Sequence, residues 1–316
     1  MWILSGWNTY NYDIENYVAY YYRSFDGISL LNLADPGFNF INKTFNYFDI
    51  SFETYHIMVY GILLTFIFYH IWKKSHKPIL IVTLYIFTAY FGDVIQFRNF
   101  IACIFLYCGL FALISPKSKY PRLTFIIFNL LASSIHISFV FYFVFLLGDL
   151  KIKPWIIIAG SIALSVFGHS FLSYMSNMSY IAENAFLSDR AEGYLESSSY
   201  WSVIICSCQY LIHYFVCARF VSKNKCQGID SERFMKINTW LASLIIATSI
   251  NMTFFRLFRN LLLFSSIYIV NGYAKKINAS NTIILTMYFL IMSIFHFWRG
   301  SVYDNVNLIF TNNLLW

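Results

Sequence analysis

The chain has 316 residues, of which 59% are hydrophobic, 21% aromatic and 12% charged, with a formal net charge of +7. Soluble domains carry about 25% charged residues and cannot hide this much apolar surface, so a cytosolic enzyme, a nucleic-acid binder and a secreted disulfide scaffold are excluded. What remains is an all-α, polytopic integral membrane protein, since the period-two alternation of a membrane barrel is absent.

In chain order, the first 54 residues are polar and aromatic, with neither the basic start nor the apolar run of a signal peptide. They hold Tyr12-Asp13-Ile14-Glu15-Asn16-Tyr17 and Asp35-Pro36-Gly37-Phe38. Aromatic faces stack on pyranose C–H groups and carboxylates accept sugar hydroxyls. Tyr12, Tyr17 and Asp35 are therefore candidate sugar-binding residues, and Asp13 a candidate general base. The competing reading is an interfacial aromatic segment anchored among lipid headgroups.

Apolar stretches follow at 55–72, 78–92, 99–115, 122–147, 154–171, 200–218, 236–252, 257–274 and 281–298. Eighteen helical residues rise about 27 Å, enough for a hydrocarbon core of ~30 Å, so all but 122–147 read as single spans. The positive-inside bias decides that one. If 122–147 goes in and comes back, every later basic cluster lands on the side of Lys73, Lys74 and Lys77. Two arms of ~13 residues would rise only ~20 Å each, a short or re-entrant pair with its tip near 134–136. The cytoplasmic side then holds 15 Lys and Arg against three acids, and the opposite side seven against 12. The expectation is one membrane domain over 1–316, with eight full spans plus the short pair. It comprises an extracytoplasmic segment 1–54, a bundle over 55–298, an outer loop at 172–199 and an outer tail at 299–316.

Cation type differs between the two sides. Twelve of the 15 inner cations are Lys, whereas six of the seven outer ones are Arg: Arg23, Arg98, Arg190, Arg256, Arg259 and Arg299. Arg presents a planar fork that grips phosphate bidentately and never deprotonates. Arg98, Arg256, Arg259 and Arg299 fall at outer helix ends, where a charge is costly unless paired or hydrated. Arg256 and Arg259 are three apart on one helical face, and with Arg98 they form a candidate diphosphate clamp. Snorkelling to headgroups is the alternative for each, and the more natural one for Arg299. His136, at the tip of the short pair, is a candidate for proton transfer or sugar contact, or is bonded structurally to a nearby hydroxyl or carbonyl. His56, His70, His76, His169, His213 and His296 carry less signal. The six cysteines lack paired metal-finger spacing, so neither a metal nor a disulfide is expected.

These motifs give the chain a family likeness. Asp13-Ile14-Glu15-Asn16-Tyr17, Asp35-Pro36-Gly37-Phe38, Arg98-Asn99-Phe100-Ile101-Ala102, Ala132-x-x-x-His136-x-Ser138 and Arg256 occur in one order. The ordered set resembles the Wzy/EpsG-type polysaccharide polymerases, which extend O-antigen, capsule or exopolysaccharide chains. The resemblance implies a GT-C-like helical bundle in the bacterial inner (plasma) membrane. It also implies transfer of a glycan from polyprenyl (undecaprenyl) diphosphate to a hydroxyl of a lipid-linked repeat unit on the outer face. No cofactor or metal is implied, which fits the lack of a P-loop or Asp-x-Asp motif. A chain-length regulator and a flippase are the protein partners to expect beside the bilayer. The family usually has a helix before its Asp-x-x-x-Tyr motif, with an Arg shortly before the Asp. Here that stretch reads Gly6-Trp7-Asn8, so a helix preceding residue 1 is a further expectation. An O-antigen ligase-like transferase shares the donor and stays open as an alternative. A lipid-linked sugar flippase fits less well, lacking the dozen spans and repeated halves expected of it. A membrane O-acyltransferase lacks its His-x4-Asp pattern here.

Overall fold

The computed structural model describes residues 1–23, 35–176, 200–222, 230–250, 252–299 and 302–315. Arg190, Cys226 and the expected outer loop from 177 onward lie outside the described residues, as do the side chains of Arg23, His169 and Arg299.

The described chain is helical apart from one isolated antiparallel bridge between Asn8 and Asn313. Three short helices come first: α1 (Trp2–Gly6), α2 (Ile14–Arg23) and α3 (Pro36–Tyr47). Ser51 then caps α4 (Phe52–Lys74) by accepting from the Thr54 N–H, and Lys73 and Lys74 close its last turn. Its 23 residues rise about 34 Å. Pro78 opens α5 (Pro78–Tyr85), which runs through a π-turn at Ile86–Tyr90 into α6 (Phe91–Ile95). Next come α7 (Phe97–Leu113), α8 (Pro121–Ile135), a 3₁₀ helix (Ile137–Asp149) and α9 (Pro154–Ser176). After the undescribed segment follow α10 (Tyr200–Cys217), α11 (Ser231–Trp240) and α12 (Ile245–Ile250). The chain ends with α13 (Phe255–Arg259), α14 (Leu262–Lys275), α15 (Ala279–Arg299) and α16 (Val302–Thr311).

Among the described residues, four helices are long and apolar enough to cross a bilayer: Phe52–Lys74, Pro78–Ile95, Val203–Val221 and Ala279–Phe297. Shorter apolar helices include Phe97–Leu113, Pro121–Ile135, Ile137–Asp149 and Pro154–Gly168. The stretch 122–147 does fold back on itself, turning at His136. Three contacts in antiparallel register hold its arms together: the Arg122–Asp149 ion pair, the Phe125–Phe145 ring contact at 6.3 Å and Asn129 Nδ2 donating to the Phe139 carbonyl at 3.1 Å. The second arm is longer than expected. Its 13 residues are 3₁₀ rather than α-helical, so at 2.0 Å per residue they rise about 26 Å instead of ~20 Å. With three residues per turn, Phe139, Tyr142 and Phe145 fall on one buried face.

The expected span 257–274 is also broken. The short α13 ends at Arg259, and α14 begins only at Leu262. A helix break at membrane depth leaves carbonyls that must find donors. Here the Tyr142 hydroxyl donates to the Leu257 carbonyl and the Tyr107 hydroxyl to the Asn260 carbonyl, each at 2.8 Å. Asn260 and Asn99 exchange side-chain hydrogen bonds of 2.9 and 3.1 Å, fixing the break against α7.

Contacts define two ends of the bundle. At one, Asn271 bridges the Lys74 carbonyl and the His76 N–H, Asp230 N–H meets the Ile114 carbonyl, and Arg219 reaches Asn281. At the other end lie the Asn8–Asn313 bridge, Asp35, Arg98, His136 and the α13 segment.

Candidate functional site

The second end gathers most of the residues singled out from sequence. Asp35 is the N-cap of α3, with Pro36 in the first turn supplying the fixed φ that suits a helix start. Its Oδ1 accepts from the Ile137 N–H at 2.8 Å, and its Oδ2 pairs with Arg98 Nη1 at 2.5 Å. One carboxylate thus ties α3 to the first turn of α7 and to the turn between α8 and the 3₁₀ helix. Gly37 lets this happen: a Cβ there would collide with the Ser134 side chain and lie 3.0 Å from its backbone carbon. The next residue, Phe38, lies beneath the Arg98 guanidinium, 5.9 Å from ring centre to Cζ. The Asp-Pro-Gly-Phe step is therefore a clamp on Arg98. That side chain keeps 25% of its surface accessible, while Asp35 keeps 7%.

Asp13 and Tyr17 occupy one face of the first turn of α2, where the Tyr17 N–H donates to the Asp13 carbonyl. The Tyr17 ring packs edge-on against Phe38 and Phe97, the residue before Arg98. Burial holds this phenol far above its usual range, so it stays neutral. The Asp13 side chain accepts no hydrogen bond among the described residues. Burial pushes its carboxyl above the usual carboxylate range, against the opposing pull of Arg256 and then Arg98. Asp35 is raised by the same cause, with Arg98 and the Ile137 N–H pulling the other way. Tyr12 is exposed at the rim.

His136 is buried in extended backbone, φ −146° and ψ 110°. Its Nδ1 accepts from the Ser138 N–H at 3.4 Å and faces the Ser138 hydroxyl at 3.2 Å. A backbone N–H can only donate, so Nδ1 bears the lone pair and the proton sits on Nε2. Nε2 makes no hydrogen bond among the described residues, and the charges of Arg256 and Arg98 act on this ring.

The two remaining arginines differ sharply. Arg259 is buried with protein partners: Nη2 donates to Gln96 Oε1 at 2.7 Å and the Gly92 carbonyl at 3.4 Å, and lies 3.9 Å from Asp93 Oδ1. Asp93 in turn accepts from the Tyr85 hydroxyl at 2.7 Å. Three residues earlier, Arg256 is half-buried and makes no ion pair or hydrogen bond among the described residues; its Nε is buried without a partner. Arg256 feels the charge of both Arg259 and Arg98. Of the three arginines of the expected clamp, Arg98 pairs with Asp35 and Arg259 lies against Gln96 and Asp93, while Arg256 has no ion pair or hydrogen bond among the described residues.

The family model described as EpsG family matches residues 1–311. The chain belongs to the EpsG family. No curated protein and no solved structure matches it. EpsG membership brings with it membrane-embedded, polysaccharide polymerase-type glycosyltransfer. Within this EpsG protein, Asp93, Gln96, Tyr107, Tyr142 and Asn260 support the site without having been singled out from sequence, together with Asn99 of the Arg98–Ala102 motif. Asp93 left the clearest trace, lying just past the apolar stretch 78–92 and being the one acid inside the span Pro78–Ile95, where a charge needs a partner.

Proposed function

We propose that this EpsG-family protein polymerises lipid-linked oligosaccharide repeat units on the outer face of the plasma membrane, the Arg-rich end of an eight-span bundle with one folded-back pair. The observation that carries this reading is the unpartnered, half-buried guanidinium of Arg256 beside Arg98, with Asp13 and His136 in reach of both charges.

In this reading Arg256 and the free edge of Arg98 take the diphosphate of a polyprenyl-linked donor. An acceptor hydroxyl attacks the anomeric carbon as the bond from that carbon to the phosphate oxygen breaks. The hydroxyl proton passes to Asp13, and polyprenyl diphosphate leaves with the bonding electron pair. Negative charge on the leaving group grows along this path, so fixed guanidiniums favour the transition state over the bound donor. His136, with its proton on Nε2, donates a hydrogen bond to the sugar or the diphosphate and does not serve as the base. Asp35 holds Arg98 directly and Tyr17 backs it through Phe38 and Phe97, while Tyr12 offers a ring to sugar at the rim.

The test is Arg98→Lys, which keeps the charge and loses the fork. Polymer should collapse to single repeats at equal protein level, and wild-type chain length would overturn the assignment. Loss of all attached sugar, rather than truncation at one repeat, would instead indicate a ligase. A second expectation concerns pH. Asp13 must be ionised to accept a proton, so the initial rate should fall on the acid side above the ordinary carboxylate pKa, and Asp13→Asn should abolish that limb with most of the rate. Unfolding does not mimic it. A carboxyl whose pKa is raised on folding binds its proton more tightly in the folded state, so its contribution to stability falls as pH rises through that window, not as pH drops.

A further inference from the structure

The segment that presents Asp13 is built on the far end of the chain. Asp13 N–H donates to Asn11 Oδ1 at 3.0 Å, and Asn11 Nδ2 donates to Asn8 Oδ1 at 2.8 Å. Asn8 Nδ2 in turn donates to the Asn312 carbonyl at 3.1 Å. That same carbonyl also accepts from the Thr9 N–H and hydroxyl. The Leu314 N–H bonds the Trp7 carbonyl and Asn313 Nδ2 the Ile3 carbonyl, which completes a two-stranded clasp around the Asn8–Asn313 bridge. Asn8, Asn11 and Asn313 are all buried. The clasp is anchored on both sides. Phe310 packs on Phe91, and the N-terminal turn is held by His56 Nδ1 at the Gly6 carbonyl and by the Tyr90 hydroxyl at the Met1 carbonyl. A run of two asparagine side-chain amides, Asn8 and Asn11, therefore connects the Asn312 carbonyl to the Asp13 N–H, with each amide both donating and accepting.

We propose that Asn8 and Asn11 are positioning residues for the transfer reaction, and that the C-terminal tail at 312–314 acts through them to set the height and angle of the Asp13 carboxylate. The inference rests on the reading of Asp13 as the acceptor's base. Its logic is that an Asx turn fixes the first turn of α2. Asn11 orients that turn only while its own amide is held by Asn8, and Asn8 is held by the tail.

Conservative changes separate the links. Asn11→Asp keeps the acceptor for Asp13 N–H and removes the donor to Asn8. Asn8→Asp keeps the acceptor for Asn11 and removes the donor to the tail, together with the donor to the Tyr10 carbonyl. With purified enzyme and a lipid-linked repeat unit, each should lower kcat by ~10-fold or more with KM little changed, since displacements near 1 Å cost up to about a hundredfold. The deciding measurement is a double-mutant cycle: in the Asp13→Asn background, Asn11→Asp and Asn8→Asp should have no further effect on the residual rate. Equal losses in both backgrounds, or single variants with wild-type kcat, would overturn the proposal. The failure of the Asp13 reading looks different, because Asp13→Asn would then itself retain wild-type activity. A disulfide probe reads the geometry without activity. Asn8 and Asn313 are a non-hydrogen-bonded antiparallel pair with Cα atoms about 4.5 Å apart, so Asn8→Cys with Asn313→Cys should cross-link on mild oxidation. Absence of that cross-link in folded protein would also overturn the clasp.

Discussion

Arg256→Gln should lower the rate of polymerisation by about a thousandfold or more while leaving the protein as stable as the parent, or more so. Removing one preorganised donor from a developing anion costs about 10²–10³ in rate, and a guanidinium adds a full charge to that loss. The stability expectation follows from what Arg256 lacks. Among the described residues it has no ion pair or hydrogen bond, its Nε is buried without a partner, and Arg98 and Arg259 repel it. Holding such a charge out of water works against folding, and in this account the bound diphosphate offsets it. A neutral side chain of similar shape relieves the strain and forfeits the ligand. The measurement pairs initial rate with the thermal midpoint in detergent. A fall in both together would mean that Arg256 supports the fold.

The opposite signature is expected one turn further on. Asp93→Asn should destabilise the protein by about 3–5 kcal/mol, because it leaves the Arg259 guanidinium buried without its countercharge. Arg259→Met alone should do similar harm by stranding Asp93 and freeing Gln96. Replacing both, as Asp93→Leu with Arg259→Met, should recover much of the loss, since a buried pair exchanged for apolar side chains is often close to neutral. Activity should then track the amount of folded protein. A double variant that is fully folded yet inactive would move Arg259 from the supporting layer to the diphosphate itself. Thermal midpoints of the three variants, with activity per folded molecule, separate these cases.

The contrast between two arginines three residues apart shows where sequence reading ended. Their spacing correctly suggested a shared region, and their position at a helix end marked both as costly charges. It could not reveal that Arg259 meets Gln96 and Asp93, about 160 residues earlier, whereas Arg256 makes no ion pair or hydrogen bond among the described residues. Partnership across that separation is a property of the packed bundle. The folded-back pair was legible because positive charges record sidedness in every loop: Lys117, Lys119 and Arg122 on one flank demand Lys151 and Lys153 on the same side. Its 3₁₀ geometry was not. Ile137–Leu147 is apolar on every face, so no polar stripe betrays a period of three rather than 3.6, and only burial of Phe139, Tyr142 and Phe145 discloses it. The break at Asn260–Leu261 was hidden for a related reason. No Pro or Gly marks it, and the donors that make it tolerable, Tyr107 and Tyr142, come from distant helices.

The Asp35-Pro36-Gly37-Phe38 step was visible as a motif, and each of its residues now has a mechanical reason. Asp35 needs two oxygens for two donors, Pro36 starts the helix, Gly37 yields space to Ser134, and Phe38 supports Arg98.

Receipt of a lipid diphosphate by the paired guanidiniums of Arg98 and Arg256, as a glycosidic bond forms, is the step on which the proposed reaction depends. It is tested most directly with purified protein and a polyprenyl-diphosphate-linked repeat unit, by counting products with mass spectrometry. One polyprenyl diphosphate should be released for each repeat added, and folded Arg256→Gln protein should form both products about a thousandfold more slowly. Chain extension by that variant at the parent rate, or extension without release of polyprenyl diphosphate, would contradict the proposed reaction.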